Sequence, residues 1–400
     1  MKVNGQLSLM PCLESRPGNP SKENRAPFIL FLSGSIAKCE ADLKSTFSKL
    51  VSSKTAFDKS QSSKLDLERL AGPLATLWMA QQGAEVIKVE SPHSPDPVRF
   101  YPPMKNGVSV FYSALNAGKK SISLDYRSDE GREQILKLVE SADVVMEQFR
   151  PGVMGKFGLG YDQLKARNPK VVLVSITGYG QEGEMANMPG HDLNYLAYSG
   201  MLDGLRDKDG APAIPKAQLA DVSGGSMMAL NAVNSALLHK ERTGEGQHID
   251  VSMAKNVSVL QSLRIAEELE VDLPGEHLSG RLACYNVYKC ADGKYVALGA
   301  LEPKFWQKFC NLIGHPEWGV RILDQDQTGL KKEVGDLFNS ESMSYWLEKL
   351  ENEGVCLSPV LTLKEASKHP LFESGFPTSL GKDELIDAPE QGASNDELLG

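Results

Sequence analysis

Two apolar patterns alternate along most of this chain. Short runs rich in β-branched residues read as strands: "EVIKVE" (85–90), "KKSISLDY" (119–126), "DVVMEQF" (143–149), "KVVLVSITGYG" (170–180) and "HIDVSM" (248–253). "KLDLERL" (64–70) reads as a short strand ahead of them. Amphipathic stretches separate the runs. "AGPLATLWMAQQGA" (71–84) has Pro73 in its first turn and Gly83 at its end. "SDEGREQILKLVESA" (128–142) opens on Ser128 with acids in the first turn. "YDQLKARN" (161–168) is a third helix, and "DVSGGSMMALNAVNSALLHK" (221–240) is a longer one starting near Ser223. Apolar strands alternating with helices predict a parallel sheet covered on both faces. Ligands of such sheets bind beyond the carboxyl ends of the strands. The loops after "VIKVE", "VVMEQF" and "VVLVSITG" are therefore the places to look.

The pattern changes after Pro274. "ACYNVYKCADGKYVALGA" (283–300) is a β-hairpin signal with Asp292-Gly293 at the turn. Three helical stretches follow (302–314, 330–339, 342–354), then a strand, "VCLSPVLTL" (355–363). This is the pattern of a smaller α+β domain. At the other end, "KENRAPFILFLSGSIAKCEA" (22–41) is a weak secretory-signal pattern whose apolar run starts late, at Phe28. Residues 1–63 are read as an appendage of uncertain order outside the catalytic fold. The expected division is 64–270 for a large domain, 271–362 for the small one, and 363–400 as a C-terminal return to the large domain.

A length of 400 residues fits two domains. Apolar residues at 41% and charged residues at 24% fit a globular protein. A net charge of −9 gives no basic footprint for nucleic acid, so an anionic ligand needs a local basic cluster. The six cysteines show no CxxC pair and no Cys/His cluster, so no metal site is expected and cytoplasmic, reduced thiols are. No apolar run is long enough for a membrane helix. Neither GxGxxG nor GxxxxGK[ST] occurs, which disfavours a nicotinamide or nucleoside-triphosphate enzyme.

Seven blocks between residues 64 and 375 carry a resemblance. They are "GPLATLWMAQQGAEVIKVE", "NAGKKSISLD", "EQFRPGVMGKFGLGYDQLKARNPKVVLVSITGYG", "GHDLNYLAYSG", "ADVSGG", "LLHKERTGEGQHIDVSM" and "CADGKYVALGALEPKFW". In order and spacing the chain resembles the family III CoA-transferase superfamily (CaiB/BaiF type), which includes the alpha-methylacyl-CoA racemases. The resemblance implies a Rossmann-like parallel-sheet large domain, a smaller α+β domain and an interlocked homodimer. The active site would lie between the large domain of one subunit and the small domain of the other. It also implies an acyl-CoA thioester substrate, with coenzyme A as part of the substrate and no tightly bound cofactor. Two departures stand out. The first strand follows 63 unmatched residues, and Ser91 stands where the family commonly has an arginine.

Lys88, Lys119, Lys120, Arg150 and Lys156 lie at or just beyond strand ends, where a guanidinium fork or an ammonium can meet phosphate. Any one such lysine alone reads as solvated surface. Arg150, fixed by Pro151 after an apolar strand, is the stronger CoA contact, with Lys88, Lys119 and Lys156 beside it. Gly178 and Gly180 in "TGYGQEG" can bring backbone close to a ligand, or simply make a turn.

His191 in "GHDLNY" titrates near neutral pH but, taken alone, reads as structural. The resemblance makes it a catalytic acid/base. Asp192 reads as a cap for the helix that follows it. Asp221 in "ADVSGG" reads locally as a helix cap; the resemblance makes it the central catalytic aspartate, with Gly224 and Gly225 leaving room for a thioester. Glu302 reads locally as an acid before a helix, and by resemblance as the partner of the histidine.

Two activities use these groups differently. A 2-methylacyl-CoA racemase needs two acid/bases on opposite faces of the α-carbon, His191 and Asp221. A CoA-transferase uses Asp221 as nucleophile and needs neither His191 nor Glu302. The segment "GEHLSGRLACY" (275–285) lacks the transferase's glycine-rich loop, and "LACYNVY" departs from the usual racemase stretch. The preferred reading is the racemase, with the transferase second and a non-catalytic CoA-fold protein third.

Overall fold

The computed structural model describes residues 27–33, 70–207, 209–270, 278–373 and 388–399. The chain divides into two compact units, Met1–Leu260 with Pro377–Gly400, and Gln261–Phe376. The composition shift placed the second unit at 271–362, so the observed unit is longer at both ends.

The first unit is an alternation of strands and helices: β1 (Phe28–Ser33), α1 (Ala71–Gln81), β2 (Glu85–Glu90), α2 (Val110–Asn116), β3 (Lys120–Ser123), α3 (Asp129–Val139), β4 (Val144–Glu147), α4 (Tyr161–Arg167), β5 (Val172–Thr177), α5 (Asp192–Tyr198), α6 (Met228–Thr243) and β6 (His248–Ser252). The strands form one six-stranded sheet in the order β3-β2-β1-β4-β5-β6, and every pair is parallel. That order reverses between β1 and β4, and the crevice at the carboxyl ends of those two strands is where such sheets take ligands. Local signals set the helix starts. Ser128 caps α3 by accepting the Gly131 N–H, and Asp129 and Glu130 sit in its first turn.

β1 corrects the sequence reading. Residues 28–33 do not belong to an appendage; they are a central strand of the sheet. "FILFL" has no polar face, and a strand covered on both sides needs none. Ile29 and Phe31 enter the core under α1 and α6, while Phe28, Leu30 and Leu32 enter the core under α3 and α4. A short apolar run of this kind has the same composition as a signal-like segment, so the local pattern does not separate the two. The strand expected at 64–70 lies almost wholly outside the described residues.

The free edge of β3 is covered by the C-terminal segment. Asn395 accepts the Ser123 N–H through Oδ1 at 2.8 Å and donates to the Ser123 carbonyl through Nδ2 at 3.2 Å. The Ser394 N–H reaches the Ser121 carbonyl at 2.9 Å. This segment supplies the edge with hydrogen bonds that a further strand would have made.

The second unit holds a three-stranded antiparallel sheet, β7 (Tyr285–Lys289), β8 (Tyr295–Gly299) and β9 (Leu357–Pro359), in the order β9-β8-β7. Helices α7 (Pro303–Ile313), α8 (Thr328–Phe338) and α9 (Met343–Leu350) pack on it through Trp306, Phe309, Phe338 and Trp346. The indoles of Trp306 and Trp346 donate to the carbonyls of Trp318 and Phe338. No helix among the described residues is long and apolar enough to cross a membrane.

Each of the five buried side chains of β1 contributes about 2 kcal/mol of apolar burial. Together they approach the whole stability of an ordinary domain. Removal of residues 1–64 is therefore expected to abolish the cooperative thermal transition of the first unit. Leu30→Asp, which buries an unpaired charge, is expected to do the same. An unchanged melting curve in differential scanning calorimetry would contradict this placement of β1.

Candidate active site

The carboxyl half of β2 and the residue before β3 carry buried ions. Lys88 is fully buried and pairs with Asp96 at 2.6 Å. Glu90 takes a two-pronged contact from Arg99, at 2.5 Å to Nη2 and 3.0 Å to Nε, and also accepts the Asp96 N–H at 2.9 Å. Burial works to raise the Glu90 pKa, but Lys88 and Arg99 outweigh it and hold the carboxyl below its ordinary value. Lys119 donates to the Pro73 carbonyl at 2.8 Å and to Asn116 Oδ1 at 3.0 Å. Burial, with Lys88 nearby, drives its pKa well down. The phosphate contacts expected of Lys88 and Lys119 are thus corrected: both ammonium groups face the interior and are already bonded there. Lys120 pairs with Glu85 and Glu397.

Arg150 and Lys156 are placed differently. Both are exposed, and neither forms an ion pair among the described residues. Arg150 sits in the turn after β4, beside the point where the strand order reverses. Gly152 completes that turn at φ +76°, and Lys156 ends the short helix Val153–Lys156.

The loop after β5 is packed by tyrosines. A Cβ on Gly178 would lie 2.5 Å from the Tyr195 ring, and one on Gly190 would lie 2.7 Å from the Tyr179 hydroxyl. Gly178 is therefore a seat for a protein side chain, not an opening for a ligand. Gly180 adopts φ +103° and donates to Thr177 Oγ1. Next to it, the Gln181 N–H reaches Asp250 at 2.9 Å, while Gln181 Nε2 is buried with no partner. A buried donor of that kind is uncommon in a native fold.

The segments that carry His191 and Asp221 are joined through Asp192. His191 is the N-cap of α5 in extended conformation, and its N–H donates to Asn194 Oδ1 at 3.0 Å. Its side chain is exposed. Asp192 does not cap α5. Its carboxylate accepts the N–H of Asp221 at 2.9 Å, and that of Ala220 as well. Burial raises the Asp192 pKa, while those two backbone bonds oppose the rise. Asp192 thus caps a different helical start, the wide π-helical turn Ala220–Met227 that runs into α6 and carries the buried Asp221. Such turns recur at functional sites.

Gly224 and Gly225 serve packing. A Cβ on Gly224 would lie 2.4 Å from the Met253 carbonyl oxygen, and one on Gly225 would lie 2.7 Å from Ala71 Cβ. The expectation that they leave room for a thioester is corrected: they let the 220–227 turn press on the backbone of 253–257 and on α1. Ser226 donates to the Ala71 carbonyl at 2.9 Å, and Asn256 to the Gly224 carbonyl at 3.1 Å. Glu302, in the second unit, is the exposed N-cap of α7, and its carbonyl accepts the Phe305 and Trp306 N–H groups.

The sequence reading missed Glu147. It ends β4, is buried, and accepts the Phe149 N–H at 2.5 Å and the Ser175 hydroxyl. Burial pushes its carboxyl from 4.5 up to about 7; those two bonds oppose the rise and Asp250 adds to it. The signal was present as an acid closing an all-apolar strand, a place with no water to solvate it.

Two outcomes follow. Asp192→Ala strips the acceptor from two backbone N–H groups and is expected to cost about 1–3 kcal/mol in urea unfolding. Between pH 4.5 and about 7 folded Glu147 holds a proton that the unfolded chain has released. Its contribution therefore erodes stability as pH rises through that window, by about 3 kcal/mol. Glu147→Gln is expected to be more stable than the parent at pH 8 and to lose that advantage by pH 5; a difference that does not vary with pH would contradict the raised pKa.

Comparison with known proteins places this architecture. The family model for CoA-transferase family III matches residues 65–382, so β1 lies ahead of the match. The chain is 33% identical over 314 residues to human alpha-methylacyl-CoA racemase, covering 77% of this chain and 78% of that one. It is 33% identical over 327 residues to a probable fatty acyl-CoA transferase of Mycobacterium tuberculosis, covering 76% and 82%. A crystal structure of that mycobacterial protein superposes with a TM-score of 0.70 at 30% identity, over 82% of this chain and 94% of that one. A CAIB/BAIF family protein from Brucella suis gives 0.72 at 25% identity, over 93% and 97%. The chain belongs to CoA-transferase family III.

Proposed function

We propose that this protein is a 2-methylacyl-CoA racemase that works by 1,1-proton transfer at the α-carbon of the thioester. The observation that carries the reading is the hydrogen bond from the Asp221 N–H to Asp192, at 2.9 Å. It fastens the start of α5, where His191 stands, to the turn that carries Asp221. An imidazole and a carboxylate then belong to one edge of one unit.

In this reading one of the two groups takes the α-proton and leaves a planar enolate. The other, protonated beforehand, delivers its proton to the opposite face. The pair ends with its protonation exchanged, ready for the other hand of substrate. N–H groups at a helix start suit the enolate oxygen. Glu302 enters as the carboxylate that fixes the tautomer of the imidazole. Arg150 and Lys156 take the CoA phosphates, and coenzyme A arrives only as part of the substrate. The working form is a homodimer.

The relatives also support a second reading. Besides the racemase, they include an acetyl-CoA:oxalate CoA-transferase from Acetobacter aceti at 32% identity. As a transferase, the Asp221 carboxylate attacks the thioester carbonyl, CoA thiolate leaves, and a mixed anhydride remains. The thiolate then attacks the aspartyl carbonyl, which releases the first acid as carboxylate and leaves an aspartyl-CoA thioester. The second carboxylate attacks that thioester, forms a new anhydride with Asp221 and frees the thiolate. The thiolate takes the new acyl group and releases the Asp221 carboxylate.

The test is α-hydrogen exchange of a single-handed 2-methylacyl-CoA in D2O without an acceptor acid. The racemase reading expects deuterium uptake together with loss of optical purity. His191→Ala and Asp221→Ala should each slow it about 100- to 10,000-fold. Exchange that is absent, with CoA instead moving to an added carboxylic acid and only Asp221→Ala abolishing this, establishes the transferase. Absence of both reactions leaves a protein that only binds.

A further inference from the structure

The turn that carries Arg150 is held from three sides, and one of them is costly. Gln148 Oε1 accepts the Gly72 N–H of α1 at 2.9 Å. Phe149 packs its ring edge-on against Tyr126 and Phe157, with centroids 6.0 and 5.8 Å away. Both contacts are made by neutral groups. The third is the Glu147 carboxylate, buried at the end of β4, which takes the Phe149 N–H at 2.5 Å. An amide of the same shape would accept that N–H without placing an ionisable group in the interior. What the carboxylate adds is a stronger acceptor, since a hydrogen bond to a charged oxygen is roughly twice as strong.

The carboxylate is also wired outward. It takes the Ser175 hydroxyl, and Ser175 Oγ lies 2.9 Å from His248 Nε2 on edge strand β6. His248 stacks on Tyr161 of α4 at 5.6 Å and is solvent-exposed, so the buried carboxyl has a two-step path to bulk protons. Among the described residues the neighbouring groups can be named. β1 offers Leu32, β5 offers Ser175, and β6 offers His248 and Asp250. The turn and the short helix after it offer Arg150 and Lys156, both exposed. Desolvation lowers the His248 pKa, with Asp250 opposing, so the imidazole is neutral where Glu147 titrates.

We propose that Glu147 is a positioning residue for coenzyme A: its ionised carboxylate holds the Phe149 N–H and so fixes the turn that presents Arg150 to the phosphates. Proton uptake by Glu147 loosens that turn and weakens the grip on CoA. This inference rests on the assignment of Arg150 to the CoA phosphates made above.

The test is isothermal titration calorimetry with free CoA from pH 6 to 8.5, on the full chain and on Glu147→Gln, Arg150→Ala and the double variant. The wild type should bind more weakly as pH falls through about 7. Glu147→Gln should bind about tenfold more weakly at pH 8, the size of one charge-assisted hydrogen bond. The difference between the two proteins should vanish by pH 6, and comparing them cancels the titration of the ligand's own phosphates. In the Arg150→Ala background Glu147→Gln should add little, because it acts through that arginine. A merely structural carboxylate predicts unchanged affinity in Glu147→Gln at every pH; the gain in stability at pH 8 is expected on either account and does not separate the two. If Glu147→Gln does not fold, the wild-type pH profile, taken with that of Arg150→Ala, decides: equal slopes overturn the proposal. Failure of wild-type protein to bind CoA at any pH overturns the functional assignment, and this inference with it. Binding by Glu147→Gln equal to wild type at every pH overturns this inference alone.

Discussion

Three consecutive residues at the start of α1 set the geometry of the candidate site. The Ala71 carbonyl takes the Ser226 hydroxyl, from the turn that carries Asp221. The Gly72 N–H reaches Gln148, in the turn that carries Arg150. The Pro73 carbonyl takes the buried ammonium of Lys119. Gly72 has no space for a side chain, because a Cβ there would lie 2.8 Å from the Phe31 ring and 2.5 Å from Gln148 Oε1. One helical turn therefore bonds to the turn that carries Asp221, the turn that carries Arg150 and the charged interior, and rests against β1. Movement of α1 by a fraction of an ångström would reach all of them at once, since packed interiors transmit strain.

Around that turn, the second constraint is the absence of water. A parallel sheet covered on both faces keeps water away from the strand residues between its helices. Lys88, Glu90 and Glu147 each close or nearly close an apolar strand, and each has found its partners inside the protein. The first two settled into ion pairs with Asp96 and Arg99, an arrangement in which removing one partner strands the other. Among the described residues Glu147 has hydrogen-bond donors but no cation, and burial pushes its carboxyl toward neutrality while that of Glu90 is pulled down by Lys88 and Arg99. The same physical setting gives a fixed charge in one place and a titratable one in the other.

The turn that carries Asp221 shows how local rules are reused at longer range. An aspartate at a helix start normally accepts N–H groups from its own first turn. Asp192 instead accepts those of Ala220 and Asp221, far along the chain. The residue beside the candidate acid/base is in this way the cap of the helix that carries the other. Membership of CoA-transferase family III leaves racemase and transferase chemistry both within reach, and the two differ in whether that His191 neighbourhood takes part or only supports Asp221.

The sequence by itself determined much of this molecule. Five of the six sheet strands, helices α1, α3, α4 and α6, the hairpin of the second unit and the family were legible, because each rests on a periodicity or a motif contained in a short window. His191, Asp192, Asp221 and Glu302 were legible as positions for the same reason. Tertiary structure alone decided the rest. It made "FILFL" a central strand, because only the presence of two cores distinguishes such a run from any other apolar segment. It turned Lys88 and Lys119 inward, since a lysine beside a strand end looks the same whether it meets water or Asp96. It gave Gly178, Gly224 and Gly225 to packing, because what fills the space of a missing side chain comes from elsewhere in the chain. And it paired Asp192 with Asp221, a bond across 29 positions that no local pattern contains.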